Sequence, residues 1–384
     1  MARRSLKPLF SRSVQRSLTK AFGAIARTVA RAAVKAVRKP AAKLKPATQS
    51  TLRSKPTFSE AATVLRSGMV VGITGALRYQ LYKPPGSERG ERLPLLVMLH
   101  GCTQDVNAIA ASSRMNRIAA RERFMVVYPE QDCMSNLQRC WNWFDTRSGR
   151  AQRESDAIAA AISQVCLTQP VDPDRIAITG FSAGAGMAAL LSTRQPELFK
   201  AVIMHSGIAP GVAHSSATAL SAMRGRRAGD PYCSLAGARS LPALLVIQGT
   251  ADSIVAPING VNAAQRWADH AEAQAQAQAQ TQTQAHTRIE ISTKLNGKVD
   301  AKANAKAAVR IALPRTVQRG NRLSVTFTDY RIGARVVVTL CEVNGLGHSW
   351  SGGAPGLLYS DPTGPDASRM VWAFAARQFA QSAI

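Results

Sequence analysis

The strongest chemical signal in the sequence is a serine between two glycines, in the segment GFSAG at residues 180–184. Apolar residues before it predict a buried strand, and the small residues from Ala185 onward predict the start of a helix. A sharp strand-to-helix turn presents a serine hydroxyl at the N-terminus of the helix, and flanking glycines remove side chains that would collide. The segment therefore predicts Ser182 as a nucleophile that attacks acyl carbonyl groups.

Such a serine needs a histidine as general base and a carboxylate that orients the histidine. In proteins with this strand-turn-helix motif the chain order is serine, acid, histidine. Asp252 follows the apolar segment 244–248, and His348 follows the apolar segment 336–340 within a glycine-rich loop. We therefore predict Asp252 as the acid and His348 as the base.

Asp230 remains an alternative acid, although no strand segment precedes it. The competing histidines either precede Asp252 or lie in or beside a low-complexity segment: His100, His205, His214, His270 and His286. A structural role is the expectation for His205.

The oxyanion that forms during acyl transfer needs two preorganised backbone N–H donors. Ala183, directly after the serine, is predicted to supply one. The second should come from the loop after an early strand, and the segment HGCTQ at residues 100–104 predicts Cys102 N–H as this donor. The Cys102 thiol has no part in that chemistry.

Strand and helix segments alternate along most of the chain. Apolar runs predict strands at 77–84, 95–99, 124–128, 175–179, 201–204, 244–248 and 336–340. Helical segments lie between them, so the sequence predicts an α/β fold with a mostly parallel sheet flanked by helices. The carboxyl ends of parallel strands meet at one edge, where the predicted site residues should lie.

The 384 residues carry a formal net charge of +26, and much of it lies in an N-terminal arm. Residues 1–55 include fifteen Lys or Arg, and no acidic residue precedes Glu60. Apolar residues at helical spacing predict a basic amphipathic helix within the arm at 1–56: Val14, Leu18, Phe22, Ile25 and Val29. The arm has three interpretations, in falling order of preference: adhesion to a surface, a disordered or docking segment, and nucleic-acid binding.

Residues 57–384 are predicted as the catalytic domain. An Ala/Gln-rich, low-complexity segment begins at Ala271, and a polar, basic stretch follows it. We expect an insertion or extended loop at about 271–320.

Six cysteines in so long a chain are too few for a disulfide scaffold, and no C-x-x-C pair suggests zinc or redox work. No stretch approaches the ~18 apolar residues of a membrane-spanning helix. Charges interrupt the N-terminus too often for a secretory signal, so we predict a cytoplasmic protein, with secretion as the alternative.

Five segments together resemble the poly(3-hydroxybutyrate) depolymerase family of esterases, which are related to feruloyl and acetylxylan esterases. They are LHGCTQ at 99–104, CWNWF at 140–144, GFSAG at 180–184, GTAD at 249–252 and GHSW at 347–350. The resemblance covers roughly residues 77–379. It implies an α/β-hydrolase fold and ester hydrolysis through Ser182, Asp252 and His348, with backbone donors at Cys102 and Ala183.

The resemblance also implies that Trp141, Asn142 and Trp143 line the substrate cleft, although packing in the core is an equal alternative for each tryptophan. Cys102 and Cys140 could form a disulfide in an exported enzyme and should stay reduced in the cytosol. Secreted members carry a separate polymer-binding domain; in its place, the basic arm could adhere to an intracellular polyester granule.

The leading hypothesis is a serine esterase that cleaves short-chain polyhydroxyalkanoate or its oligomers through an acyl-enzyme. A feruloyl or acetylxylan esterase is the first alternative. A granule-associated or nucleic-acid-binding protein that uses the basic arm is the alternative from another class. The predicted chemistry needs no cofactor, and no metal-ligand cluster has convincing spacing.

Overall fold

The described part of the chain begins at the first strand of a large sheet. The computed structural model describes residues 65–72, 75–86, 90–226, 240–293 and 308–381, with the backbone alone for 282–293. The predicted basic arm at 1–56, the alternative acid Asp230 and Cys233 lie outside these residues.

Eleven strands within the described residues form one sheet. Their bounds are β1 (Leu65–Gly72), β2 (Gly75–Tyr82), β3 (Leu93–Leu99), β4 (Met125–Glu130), β5 (Val171–Phe181), β6 (Ala201–His205), β7 (Ala243–Gly249), β8 (Val309–Ile311), β9 (Arg315–Val317), β10 (Val325–Ile332) and β11 (Arg335–Val343). The order is β1-β2-β4-β3-β5-β6-β7-β11-β10-β8, and β9 pairs with β10. Two short strands, β12 (Trp350–Ser351) and β13 (Ser360–Asp361), form a separate parallel pair.

The centre of the sheet, from β4 to β11 in that order, is parallel throughout. Both edges are antiparallel. Every strand segment predicted from the sequence overlaps a strand of this sheet, so the prediction of an α/β fold with a mostly parallel core is confirmed. The carboxyl ends of β3, β5, β7 and β11 lie at the same edge of the sheet because these strands all run in one direction.

Helices cover both faces of the sheet. Their bounds are α1 (Val106–Ser113), α2 (Met115–Glu122), α3 (Arg150–Thr168), α4 (Ala183–Arg194), α5 (Ser216–Met223), α6 (Ile258–Thr293) and α7 (Ala367–Gln381). Apolar residues of α3, α4 and α6 belong to one core cluster, and those of α1, α2 and α7 belong to the other.

Strand β3 illustrates how the sequence produces this arrangement. All of its residues are buried. Leu95, Val97 and Leu99 belong to the first cluster, whereas Leu96 and Met98 belong to the second. A continuous apolar run is typical of a parallel strand buried on both faces. This burial holds the loop that follows β3 in a fixed position.

The Ala/Gln-rich segment continues helix α6, which runs to Thr293. The extended-loop form of the expected insertion is therefore wrong for the backbone of 271–293, which is helical. Ala and Gln are strong helix formers, and a helix already nucleated on buried residues such as Trp267 extends at little further cost. The end of the expected insertion forms β8 and β9, and residues 294–307 lie outside the described part.

Within the described residues, none of the helices has both the length and the apolar character that crossing a membrane requires.

Candidate active site

Ser182 occupies a strained turn between β5 and α4. Its φ of 55° and ψ of −119° are rare for a residue with a Cβ atom. Its N–H donates to His205 O at 2.9 Å, and its carbonyl accepts hydrogen bonds from Ala185 N at 3.0 Å and Gly186 N at 3.2 Å. Such strain is typical of functional sites, and the turn has the strand-serine-helix form that the sequence predicted.

Close backbone contacts explain the two flanking glycines. A Cβ atom on Gly180 would lie 2.3 Å from the Gly184 carbonyl, and one on Gly184 would lie 2.4 Å from Leu99 O and 2.5 Å from His100 O. The serine turn therefore packs directly against the backbone at the end of β3, which leads into the predicted oxyanion loop.

Asp252 and His348 form a buried pair. His348 Nδ1 lies 2.8 Å from Asp252 Oδ2, and the exposed fractions of these residues are 9% and 3%. Asp252 Oδ1 accepts hydrogen bonds from Ile254 N at 2.9 Å and Val255 N at 2.8 Å. Burial alone would raise the pKa of Asp252, but its hydrogen bonds and the nearby His348 outweigh burial and lower the pKa. The ionised Asp252 therefore holds the proton of His348 on Nδ1 and leaves Nε2 with its lone pair free of a proton.

Phe181 links this pair to the serine. The His348 and Phe181 ring centroids are 4.9 Å apart, and Phe181 immediately precedes Ser182. The structure thus brings Ser182, Asp252 and His348 to one edge of the sheet, after strands β5, β7 and β11. Their chemical roles remain predictions.

The predicted oxyanion donors come from two adjacent segments. A Cβ atom on Gly101 would lie 2.9 Å from the Phe181 ring, so the loop after β3 packs on the residue before the serine. Gly101 N donates to Gln104 Oε1 at 2.9 Å, which holds this loop in place. Among the described residues, neither Cys102 N nor Ala183 N donates to a protein acceptor. Both groups are thus available to an oxyanion.

His100 supports the same loop from the protein interior. Its Nε2 accepts a hydrogen bond from Gln131 N at 3.1 Å, so Nδ1 carries the proton and donates to Gly101 O at 2.9 Å. Burial lowers the pKa of His100 to about 4. The histidine is therefore neutral at pH 7 and acts as a structural part of the loop.

The three residues predicted to line the cleft lie in the interior. The exposed fractions of Trp141, Asn142 and Trp143 are 0%, 2% and 7%. Asn142 donates to Glu154 through its backbone N at 2.8 Å and through Nδ2 at 2.5 Å, and its Oδ1 accepts from Asn136 Nδ2 at 3.0 Å. These bonds occupy the Asn142 carbonyl oxygen and tie the segment to the core. Direct substrate contact by the three residues remains a prediction.

A disulfide joins the oxyanion loop to that segment. Cys102 and Cys140 are bonded, with their Cα atoms 4.2 Å apart. The bond attaches a predicted oxyanion donor to a segment held by Glu154 and Gln131; Gln131 Nε2 donates to Cys140 O at 3.1 Å.

His205 is a buried structural residue, as the sequence indicated. Its Nε2 accepts from Ser351 N at 3.2 Å, and its ring stacks on Trp350 at 4.9 Å. Burial, followed by the charge of His348, lowers the pKa of His205 to about 3. Since its carbonyl also accepts the Ser182 N–H, His205 holds the serine turn and the segment after His348 together.

Sequence reasoning did not single out four residues that position this site: Gln104, Gln131, Glu154 and Tyr359. The Tyr359 ring lies 6.3 Å from the His348 ring. None of the four lies in a sequence motif that indicates its role. Each acts through a contact that is made only in the folded chain. A glutamine within HGCTQ was the one available signal.

Among the described residues, no cluster of His, Cys, Asp or Glu has the arrangement of a metal site.

Comparison with known proteins gives a consistent family signal. The family model described as esterase PHB depolymerase matches residues 77–292, more than half of the chain. That range includes Ser182 and Asp252 but ends before His348, whose selection rests on the geometry above.

Three relatives illustrate the similarity. The chain is 29% identical over 202 residues to poly(3-hydroxyalkanoate) depolymerase C of Paucimonas lemoignei, covering 50% of this chain and 48% of that protein. It is 25% identical over 193 residues to acetylxylan esterase A of Talaromyces purpureogenus, covering 45% and 49%. It thus spans about half the length of these relatives. The solved acetyl xylan esterase from Aspergillus awamori superimposes with a TM-score of 0.53 at 17% identity, covering 74% of this chain and 94% of that one, which supports the α/β-hydrolase fold.

Proposed function

The chain belongs to the esterase PHB depolymerase family, and from that premise we propose that it is a serine esterase that hydrolyses carboxylic esters. The observation that carries the proposal is the buried Asp252–His348 pair, packed on Phe181 directly beside Ser182. Strain at Ser182 and two unengaged backbone donors support it further.

The proposed reaction proceeds through an acyl-enzyme. Ser182 Oγ attacks the ester carbonyl carbon while His348 Nε2 accepts the hydroxyl proton. The negative oxygen of the tetrahedral intermediate receives hydrogen bonds from Cys102 N and Ala183 N. The intermediate collapses, the C–O bond breaks, and His348 returns the proton to the leaving alcohol. Water then attacks the acyl-enzyme with His348 again as base, which releases the acid and restores Ser182.

Hydrolysis of p-nitrophenyl butyrate by the purified protein tests this proposal. The wild type should release p-nitrophenol, whereas Ser182→Ala should lose activity by roughly 10³-fold or more while it keeps the wild-type melting temperature. Equal activity in both proteins, or none in either, would refute the proposal.

We propose an aliphatic polyester or its oligomers as the substrate. The similarity to a poly(3-hydroxyalkanoate) depolymerase supports this choice. A carbohydrate acetyl or feruloyl ester is the second candidate, supported by the similarity to acetylxylan esterase A of Talaromyces purpureogenus. The two are separated by comparing turnover of 3-hydroxybutyrate oligomers with deacetylation of xylan; the polyester proposal requires faster turnover of the oligomers.

The N-terminal arm carries a proposal of its own, from its sequence. We propose that residues 1–56 adhere to an anionic or apolar surface such as a polyester granule, with nucleic acid as the less favoured partner. Deletion of 1–56 should lower co-sedimentation with granules and leave p-nitrophenyl butyrate hydrolysis unchanged. Binding to DNA that falls steeply with salt would support the alternative, and Ser182→Ala separates a pure binding role from catalysis.

We also propose a cellular location for the protein. The Cys102–Cys140 bond supports an oxidising location, because disulfides persist outside the reducing cytosol. Between the cytoplasmic prediction and its secreted alternative, we therefore propose the latter, in which case the arm would meet polyester granules only after their release from cells. Fractionation of the native source tests this: activity confined to the cytosolic fraction would overturn it.

A further inference from the structure

A chain of hydrogen bonds connects helix α3 to the oxyanion loop. It begins at Glu154, whose Oε1 and Oε2 accept hydrogen bonds from Asn142 Nδ2 at 2.5 Å and from Asn142 N at 2.8 Å. Asn142 Oδ1 accepts from Asn136 Nδ2 at 3.0 Å. Asn136 Oδ1 accepts from Gln138 N at 2.9 Å, and Gln138 O accepts from Thr103 N at 2.6 Å. The chain therefore ends at the residue directly after the proposed oxyanion donor.

Glu154 sets the direction of this chain. An ionised carboxylate only accepts hydrogen bonds, so the Asn142 amide turns its Nδ2 toward Glu154 and its Oδ1 toward Asn136. The Asn136 amide is turned in the same sense, with its Oδ1 toward Gln138 N. Because a side-chain amide donates at one end and accepts at the other, the carboxylate at the start of the chain decides which end of each amide faces which neighbour.

The surroundings of Glu154 suit the ionised form. Burial raises the pKa of Glu154 above its ordinary value, and hydrogen bonds from Asn142 and Gln131, with the charge of Arg150, act against that rise. The groups that contact its two oxygens are donors, which the carboxylate can accept and the protonated acid cannot fully match. Hydrogen bonds to a charged acceptor are also stronger than those between neutral groups.

The oxyanion loop needs such a hold because its backbone is strained at Thr103. Thr103 has a φ of 63°, in the left-handed region that a β-branched residue rarely adopts. Its N–H is held by Gln138 O, and the disulfide from Cys102 to Cys140 attaches the preceding residue to the same segment. Since Cys102 is the neighbour of Thr103, a displacement of Thr103 moves the proposed donor with it.

All four polar atoms of Asn142 are engaged within the protein. Its N and Nδ2 donate to Glu154, and its Oδ1 accepts from Asn136. Its O accepts from Asp145 N at 2.9 Å. These bonds place Asn142 as a link between α3 and the oxyanion loop.

We propose that Glu154 is a positioning residue, which holds the proposed oxyanion donor Cys102 N in place through the hydrogen-bond chain that starts at Asn142. The inference rests on the proposed esterase function and adds to it a residue outside the triad. It gives Asn142 a different role from the substrate contact that the resemblance implied. An oxyanion forms only during the chemical step, so loss of this positioning lowers kcat and leaves KM nearly unchanged.

A pair of substitutions tests the direction of the chain. Glu154→Gln introduces donors against the Asn142 N–H and NH2 groups, so the Asn142 and Asn136 amides must turn over and leave Gln138 N without its acceptor. Asn142→Asp places a second carboxylate against Glu154, and the like charges repel each other. The double variant restores every bond, because the new amide at 154 donates to the new carboxylate at 142, which still accepts from Asn136 Nδ2.

The kinetic readout is hydrolysis of p-nitrophenyl butyrate at pH 8. We expect each single variant to lose about 10-fold or more in kcat, below the roughly 10²–10³-fold loss when one donor is removed outright. KM should stay within about 2-fold of wild type, and the double variant should recover kcat to within about 3-fold. Asp156→Asn is the matched control, because Asp156 lies on the same helix but pairs with Arg194 at 2.6 Å; it should match wild type.

Hydrogen exchange at the Thr103 amide tests the link without turnover. In a Ser182→Ala background, each single variant should exchange this amide about 10-fold faster, because its bond to Gln138 O is weakened. The double variant should restore the slow rate. Amides of strand β3 should exchange as in the wild type throughout, which separates a local change in the loop from a general loss of stability.

The outcomes separate this inference from the esterase function. The inference is overturned if Glu154→Gln keeps wild-type kcat or wild-type exchange at Thr103. It is also overturned if the double variant stays as slow as Asn142→Asp with a raised KM, which would make Asn142 a substrate contact. A wild type that hydrolyses no ester, while Thr103 exchange follows the expected pattern, would refute the esterase function and support positioning by Glu154. Should the single variants fail to fold, recovery of folding and kcat in the double variant supports the chain, and failure to recover overturns it.

Discussion

His348 Nδ1 lies 2.8 Å from Asp252 Oδ2, and both side chains are almost fully buried. The other carboxylate oxygen of Asp252 is held by two backbone N–H groups. Asp252 is thus fixed in position and ionised, and it can hold the His348 ring in only one tautomer. This arrangement is the one that the proposed role of His348 as a base requires, and it leads to a direct test.

Asp252→Asn should preserve the shape of the pair and remove its charge. An amide in place of the carboxylate permits the wrong tautomer of His348, which lowers kcat by roughly 10³–10⁴-fold in triads of this type. Steady-state hydrolysis of p-nitrophenyl butyrate measures the effect. Asp230→Asn, at the alternative acid, should retain wild-type kcat; the opposite ranking of the two variants would show that the acid was misassigned.

Gly184→Ala should damage the site through a steric contact. The added Cβ would lie 2.4 Å from Leu99 O, so the serine turn and the oxyanion loop must move apart. We expect a loss of about 1–3 kcal/mol in the free energy of unfolding. A fall of about 10²-fold or more in kcat should accompany it, as is typical when one oxyanion donor is lost.

Gly347→Ala is the matched control, since no atom lies within 4 Å of the position that its Cβ would take. Chemical denaturation and ester hydrolysis are compared for both variants. If Gly184→Ala keeps wild-type kcat, the turn and the loop are not the tightly coupled pair described above.

The residues at the strand ends were predictable because their signals are local. GFSAG requires a strained turn wherever it follows a buried strand, and Gly180 and Gly184 do make the close contacts that the pattern implies. Apolar runs likewise predicted the parallel core, since a strand buried on both faces cannot carry polar side chains.

The supporting contacts were not predictable, because they join residues distant in the chain. Glu154 on α3 holds Asn142, and Tyr359 contacts Thr103 across 256 positions. The prediction of a loop in the Ala/Gln-rich segment was wrong for another reason. Low complexity suggested a loop, but Ala and Gln both favour a helix, and the buried first half of α6 had already begun one.

The Cys102–Cys140 bond should stabilise the fold by constraining the unfolded chain. The two residues are separated by 38 positions, a loop whose closure corresponds to about 4 kcal/mol in the chain-entropy model. Cys102→Ser with Cys140→Ser should therefore unfold at a lower denaturant concentration. Non-reducing peptide mapping should recover the linked pair, and Cys133→Ser, at an exposed free cysteine, should unfold like wild type. Two alkylatable thiols at 102 and 140 in freshly isolated protein would contradict the bond.

The buried histidines predict how stability depends on pH. The pKa of His100 is about 4 and that of His205 is about 3, both lowered chiefly by burial, whereas a histidine in the unfolded chain titrates near pH 6.5. Between pH 6.5 and about 4 the unfolded chain therefore binds protons that these two folded side chains do not. The free energy of unfolding should fall as pH falls, by roughly 1.4 kcal/mol per pH unit for each histidine.

His205→Gln isolates one of these contributions. Glutamine can still accept the hydrogen bond that Ser351 N gives to His205, but it does not titrate. Glu154, whose burial raises its pKa, contributes with the opposite sign, and the difference between variant and wild type removes it. Urea unfolding at intervals from pH 7 to 4.5 should give a slope that is shallower by roughly 1.4 kcal/mol per pH unit in the variant. Parallel slopes would mean that His205 takes up its proton in the folded protein as readily as in the unfolded chain. Its place as a neutral link between the serine turn and Ser351 would then have to be abandoned.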